Sequence, residues 1–185
     1  MNLDDVIRKY ETQGLELKQS LAQRRDGLEA LNGMINAEPA HGVLIFGISP
    51  DRKVVGVELG DLDQAQKSLV QHIEAQFEPS IQPVVELLEC EGKHLITVSA
   101  IRHRDVPYHE YDGRAFIREG SVNHRLTLQE KQQLSRSRNR DLHNGPWQCD
   151  RCGSYVGFLS SIAITDHGIT KTYDCDCGGE YWPAA

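Results

Sequence analysis

Cysteine is nearly missing from the first 148 residues, where Cys90 stands alone, and the other four crowd into the last 37. This excludes a disulfide-stapled scaffold for most of the chain. In a reducing compartment a tight cluster of thiols points to a metal before it points to disulfides. Aromatic residues make up 6% of the sequence, too few for a base-stacking platform, which weighs against reading of single strands by sequence. No apolar run approaches the roughly 20 residues of a membrane span. The opening residues Met1-Asn2-Leu3-Asp4-Asp5 carry neither a basic leader nor an apolar segment, so the expectation is a cytoplasmic protein with no membrane partner. A phosphate loop is missing too. Glu91-Gly92-Lys93-His94 lacks the upstream glycine and the hydroxyl residue after lysine that would hold magnesium, so nothing supports nucleotide hydrolysis.

What is present is an ordinary globular composition, 39% hydrophobic and 25% charged over 185 residues, enough for one medium domain with a small appendage. The formal net charge of -7 is unevenly spread. Residues 101–140 hold nine Lys or Arg against five acids, so this window is +4 and the remainder -11. Local potential steers a polyanion while net charge governs solubility, so an acidic protein with a basic segment can still bind phosphate.

Periodicity predicts the elements in order. Leu3, Val6, Ile7 and Tyr10 fit a short opening helix, and residues 14–20 fit a strand. Asp26 is placed to cap a helix with Leu28, Leu31 and Ile35 on one face, ended by Pro39. Residues 43–48 form a continuous apolar run suited to a central strand buried on both faces. Residues 49–53 read as a turn and 54–57 as the returning strand of a hairpin. Leu62, Ala65, Leu69, Ile73 and Phe77 mark an amphipathic helix closed by Pro79. Strands are expected at 84–90 and 94–100, then a hairpin in which 108–111 and 114–118 flank Asp112-Gly113. Thr127-Leu128-Gln129-Glu130 is a capping box opening a polar helix towards Arg140. Helices interleaved with hairpins give the α+β class, a mixed β-sheet with packed helices. The divisions expected are a domain over 1–140, a linker over 141–146 and a small module over 147–185.

Within the first strand, Leu15 and Leu17 alternate with Glu16 and Lys18, which sends the leucines to the core and sets carboxylate and ammonium side by side on the other face. Glu11 precedes them by a few residues. Two acids and a lysine could hold a divalent cation against a phosphate, because hard oxygen ligands take the metal and the ammonium offsets developing negative charge. The same spacing also describes a solvated strand face with an incidental ion pair.

Beyond the linker, Cys149-Asp150-Arg151-Cys152-Gly153 is a metal knuckle, two thiolates spaced to grip one ion. Cys175-Asp176-Cys177 supplies a second pair after two expected strands hinged at residues 166–168. Two knuckles joined by a hairpin resemble a zinc ribbon with a structural zinc on Cys149, Cys152, Cys175 and Cys177; free thiols or a redox pair are the alternatives. So small a piece would depend on its metal to fold. Cys90, inside a strand, reads as a core thiol.

Taken together, Glu11, Leu15-Glu16-Leu17-Lys18, the run 43–48 with Gly47, Gly56, Pro107 and Phe116-Ile117-Arg118-Glu119-Gly120-Ser121 resemble the AlbA-type domain of the Schlafen family over roughly residues 10–135. The resemblance implies nucleic-acid binding, of RNA or DNA. In nuclease members it implies cleavage of structured RNA such as tRNA by three acids and a divalent metal, Mg2+ or Mn2+. Glu11 and Glu16 match two of those acids, Asp51 stands nearest the third, and Lys18 would stabilise charge on the phosphate. Nuclease members pair two lobes around a cleft, so a homodimer of this chain would restore that arrangement.

Three functions follow. In the first, a nucleic-acid binder, Arg114, Arg118 and Arg125 hold the phosphate backbone and Arg102 and Arg104 flank it. The second is a metal-dependent endoribonuclease using Glu11, Glu16, Lys18 and Asp51. The third is a non-catalytic protein-interaction adaptor. Binding is the preferred expectation, with nuclease activity as the alternative.

Overall fold

The computed structural model describes residues 12–58, 62–103, 105–141, 147–149, 158–165, 168–174 and 181–183. Four strands make the main sheet: β1 (Leu15–Lys18), β2 (His41–Phe46), β4 (Val84–Cys90) and β5 (Lys93–Ile101), in the order β1-β2-β5-β4. β1 runs parallel to β2 and the other two pairings are antiparallel. A parallel neighbour needs a crossover, and helix α1 (Arg24–Asn36) provides it. Helix α2 (Leu62–Gln76) leads into the two-residue strand β3 (Phe77–Glu78). After the sheet come β6 (Glu110–Tyr111), the hairpin of β7 (Phe116–Glu119) and β8 (Val122–Arg125), and helix α3 (Leu128–Asp141). The α+β reading with a mixed sheet holds.

β2 explains why residues 43–48 are apolar without interruption. Leu44 and Phe46 pack with Leu28, Leu31, Met34 and Ile35 of α1 and with Leu69 and Ile73 of α2. Val43 and Ile45 belong to a second cluster with Leu15, Leu17 and Leu95. Alternation along a strand sends neighbours to opposite faces, and here both faces are covered. Each such side chain contributes about 1.5–3 kcal/mol by leaving water. At Gly42 a Cβ would stand 2.7 Å from Met34 Cβ, so the glycine lets α1 lie close over the start of β2.

Three local expectations are corrected. Asp26 does not cap α1. The helix starts at Arg24 after a 3-10 turn (Leu21–Gln23), and Asp26 sits inside the first turn, where its charge suits the positive end of the helix. Residues 54–57 form no returning strand. Only the bridge Ile48 to Val54 forms, because Gly47 O accepts from both Val55 N and Gly56 N while Val57 N turns to His94 O.

The third correction concerns the hairpin around Asp112-Gly113. Its tight turn is there, with positive φ at both residues and paired hydrogen bonds between Tyr111 and Arg114. The strands then separate: β6 pairs with β3, and β7 with β8. The next rung would join His109 to Phe116, and two asparagines of α1 take its place. Asn36 Oδ1 accepts from His109 N at 2.8 Å, and Asn32 Oδ1 accepts from Phe116 N at 2.8 Å. Asn36 Nδ2 donates to His109 O and Phe116 O, and Asn32 Nδ2 also donates to His109 O. Both asparagines are wholly buried, so this network satisfies polar groups that would otherwise be stranded.

The capping box forms as expected, with Thr127 N donating to Glu130 Oε2 and Glu130 N to Thr127 Oγ1. Beyond it, β10 (Phe158–Thr165) pairs with β11 (Gly168–Asp174), and β9 (Trp147–Cys149) pairs with β12 (Tyr181–Pro183). The expected opening helix lies outside the described residues.

Candidate nucleic-acid interface

Glu16 and Lys18 share one face of β1, as the alternation requires, but that face is not open to water. Opposite them in β2 stand Leu44 and Phe46, the residues that meet α1. Glu16 is buried, with 8% of its side chain exposed. Lys18 Nζ approaches Glu16 Oε1 to 2.5 Å, and Arg118 Nη2 approaches Glu16 Oε2 to 2.7 Å. Each carboxylate oxygen therefore has its own cation.

Arg118 reaches in from β7 and its side chain has no exposure. Its Nε donates to Thr12 O and Gly120 O, Nη1 to Asn123 Oδ1 and Nη2 to Leu15 O. These acceptors fix the guanidinium independently of Glu16. The close fit depends on Gly33 of α1, where a Cβ would meet Asn123 Oδ1 at 2.7 Å and Arg118 Cβ at 3.4 Å. Larger side chains there would push the β7–β8 hairpin away from α1.

The phosphate-holding role expected of Arg118 does not suit this position, where the guanidinium has no exposed surface and each of its three nitrogens already donates within the protein. Arg102 is covered rather than enclosed: it is 7% exposed, and its partner Glu38 stands at the surface. Arg114 is half-buried in the turn after β6, and Arg125 is exposed at the end of β8. Arg104 and Glu11 lie outside the described residues. Asp51 is exposed in the turn after β2. That turn leaves the sheet beside β1, since Gly47 N and Ile48 N both donate to Lys18 O. Among the described residues no three His, Cys, Asp or Glu side chains gather to hold a metal ion. Cys149 ends β9, while Cys152, Cys175 and Cys177 lie outside the described residues.

A second cluster went unread in the sequence. Arg102, just past β5, and Arg138, on α3, both reach Glu38 Oε1, at 2.8 and 3.4 Å. Burial holds both guanidiniums below the usual arginine range; at Arg138, with Arg102 also near, the value is pushed down to about 10, still charged at neutral pH. The two clusters meet through the start of β1: Arg118 holds Thr12 O, and the next residue, Gln13, donates to Glu38 O at 2.9 Å. Arg138 carried a signal only as one of four basic residues in the polar helix.

The sequence profile of the Schlafen AlbA_2 family matches residues 11–127, a span that runs from the segment before β1 to the cap of α3. The chain belongs to the Schlafen AlbA_2 family. No curated protein matches it. Among solved structures, this Schlafen AlbA_2 chain is similar to the N-terminal domain of a RecG-related protein from Nitrosomonas europaea, at 19% identity and a TM-score of 0.47, covering 69% of this chain and 95% of that one. It is also similar to the DIP2311 protein from Corynebacterium diphtheriae, at 17% identity and a TM-score of 0.46. There the match covers 83% of this chain but 26% of the other.

Proposed function

We propose that this chain binds nucleic acid, RNA or DNA, by contacts with the phosphate backbone. One observation carries the reading: cations outnumber acids two to one at both clusters, Lys18 and Arg118 on Glu16, and Arg102 and Arg138 on Glu38. In a chain of net charge -7 each cluster keeps a surplus of one positive charge, and membership of the Schlafen AlbA_2 family supports the same partner. Among the described residues, exposed Arg125 and half-buried Arg114 would add to that positive charge.

Mg2+ or Mn2+ does not fit the described residues. Both oxygens of Glu16 are engaged by cations, and a carboxylate so neutralised is a poor ligand for a hard metal. Zinc fits the donor chemistry of Cys149, Cys152, Cys175 and Cys177. The pairing of Phe158 with Asp174 in the β10–β11 hairpin and of Cys149 with Tyr181 between β9 and β12 supports a zinc-held module over 147–185, with residues 141–146 as its linker to the domain over 1–140.

The test incubates the protein with labelled tRNA and with single- and double-stranded DNA in Mg2+, Mn2+ or EDTA, beside a Glu16→Gln variant. A salt-sensitive complex with intact nucleic acid under all three conditions is the expected result. Metal-dependent cutting that Glu16→Gln abolishes would replace this reading with the endoribonuclease.

A further inference from the structure

The geometry points to Arg102 and Arg138 as a preformed phosphate-binding fork, in which the Glu38 carboxylate occupies the place of a phosphate oxygen. The inference rests on the polynucleotide reading above and names where one backbone phosphate sits.

Both guanidiniums are held by main-chain carbonyls. Arg102 Nε donates to Ile35 O at 3.2 Å and Nη1 to Val106 O at 2.9 Å. Arg138 Nη1 donates to Pro107 O, and Nη2 to Asn36 O at 2.5 Å. Ile35 and Asn36 close the last turn of α1, whose carbonyls have no partner within the helix and whose dipole favours cations. The fork is thus fixed by the backbone whether or not Glu38 is in place.

Glu38 differs in kind. Its side chain is 70% exposed, against 7% for Arg102 and 12% for Arg138. Among the described residues it is the acid within ion-pair distance of either guanidinium. Its main chain is held separately, through Gln13 Nε2 on Glu38 O. So exposed a carboxylate gains little from its pairing, and turning it into water leaves every backbone bond of the fork intact. Two planar guanidiniums facing one oxygen then present free N–H donors and a surplus positive charge, the arrangement that recognises phosphate.

The experiment titrates inorganic phosphate, and separately a labelled single-stranded oligonucleotide, into the wild-type chain, Glu38→Gln and Glu74→Gln, while arginine Nε–H signals are followed by NMR. Glu74 is an exposed acid on α2 and serves as the charge control. Removing the competing carboxylate is expected to tighten both ligands roughly two- to fivefold in Glu38→Gln and to move the Arg102 and Arg138 signals, with Glu74→Gln behaving as wild type. If oligonucleotide binds all three proteins equally and those signals stay still, the fork is wrong and the binding function stands. If phosphate tightens as stated but no protein binds oligonucleotide, the fork stands and the polynucleotide reading falls.

Discussion

Arg118 Nη2 stands 2.7 Å from Glu16 Oε2, with the arginine side chain wholly buried. A charge taken so far from water is tolerated only when paired and hydrogen-bonded, and Arg118 is both. The pair fastens β7 to β1 across α1, so the acid that the family resemblance marks for metal chemistry is part of the scaffold here.

Replacing Arg118 with Met therefore should cost roughly 3–5 kcal/mol of stability, because it takes one of two cations from a buried carboxylate, leaving Lys18 alone on it, and removes the donors of buried carbonyls. Urea unfolding of Arg118→Met, Glu16→Gln and the double variant measures this. The double variant should recover part of the loss, since Glu16→Gln leaves no charge for Arg118 to balance, while the carbonyls of Thr12, Leu15 and Gly120 stay without their donor. Strict additivity of the two single changes would contradict the pairing.

The asparagine pair on α1 makes a second demand. Asn36→Leu removes the groups that satisfy His109 N and Phe116 O, so about 2 kcal/mol or more should be lost. Amide hydrogen exchange should quicken across residues 105–119 before it quickens in β2. Protection unchanged in that segment would show that the latch is not needed.

Burial lowers the His109 pKa, outweighing its bond to Pro79 O, and nearby Arg102 and His103 lower it further. Nδ1 lies 2.7 Å from Pro79 O, and Nε2 is buried with no hydrogen-bond partner among the described residues. Below a pH of about 6.5 the unfolded chain takes up a proton here that the folded chain refuses, so stability should fall as pH drops through that value. Unfolding midpoints at neutral and mildly acid pH should separate less for His109→Gln than for wild type. An equal separation would remove His109 from the account.

Zinc content offers an independent check on the cysteine module. Elemental analysis of the purified chain should find about one zinc per chain, and chelation should unfold residues 147–185 while leaving the main sheet folded. Less than about half an equivalent would contradict the module.

Much of the fold was legible because its signals are local. The run in β2, the Leu28, Leu31 and Ile35 face of α1, the periodicity of α2, the β4–β5 hairpin and the capping box each depend on neighbours within a few residues. The failures share a cause in long-range contacts. Nothing near Asp112-Gly113 announces that Asn32 and Asn36 will divide its strands, although two asparagines one turn apart on an apolar helical face were the available hint. Likewise Glu16 and Arg118 each look like surface residues on an alternating strand, and only the approach of α1 at Gly33 brings both indoors. Glu38 passed as part of a loop and Arg138 as one charge in a polar helix, since their meeting depends on how α3 returns to the end of α1.

Salt dependence of binding tests the central claim most directly. Affinity for labelled RNA and DNA, measured between about 50 and 200 mM salt, should fall linearly on logarithmic axes with a slope of about -1.5 or steeper, as displacement of counterions from two or more phosphates requires. A flat line, or no binding at the lowest salt, would contradict it.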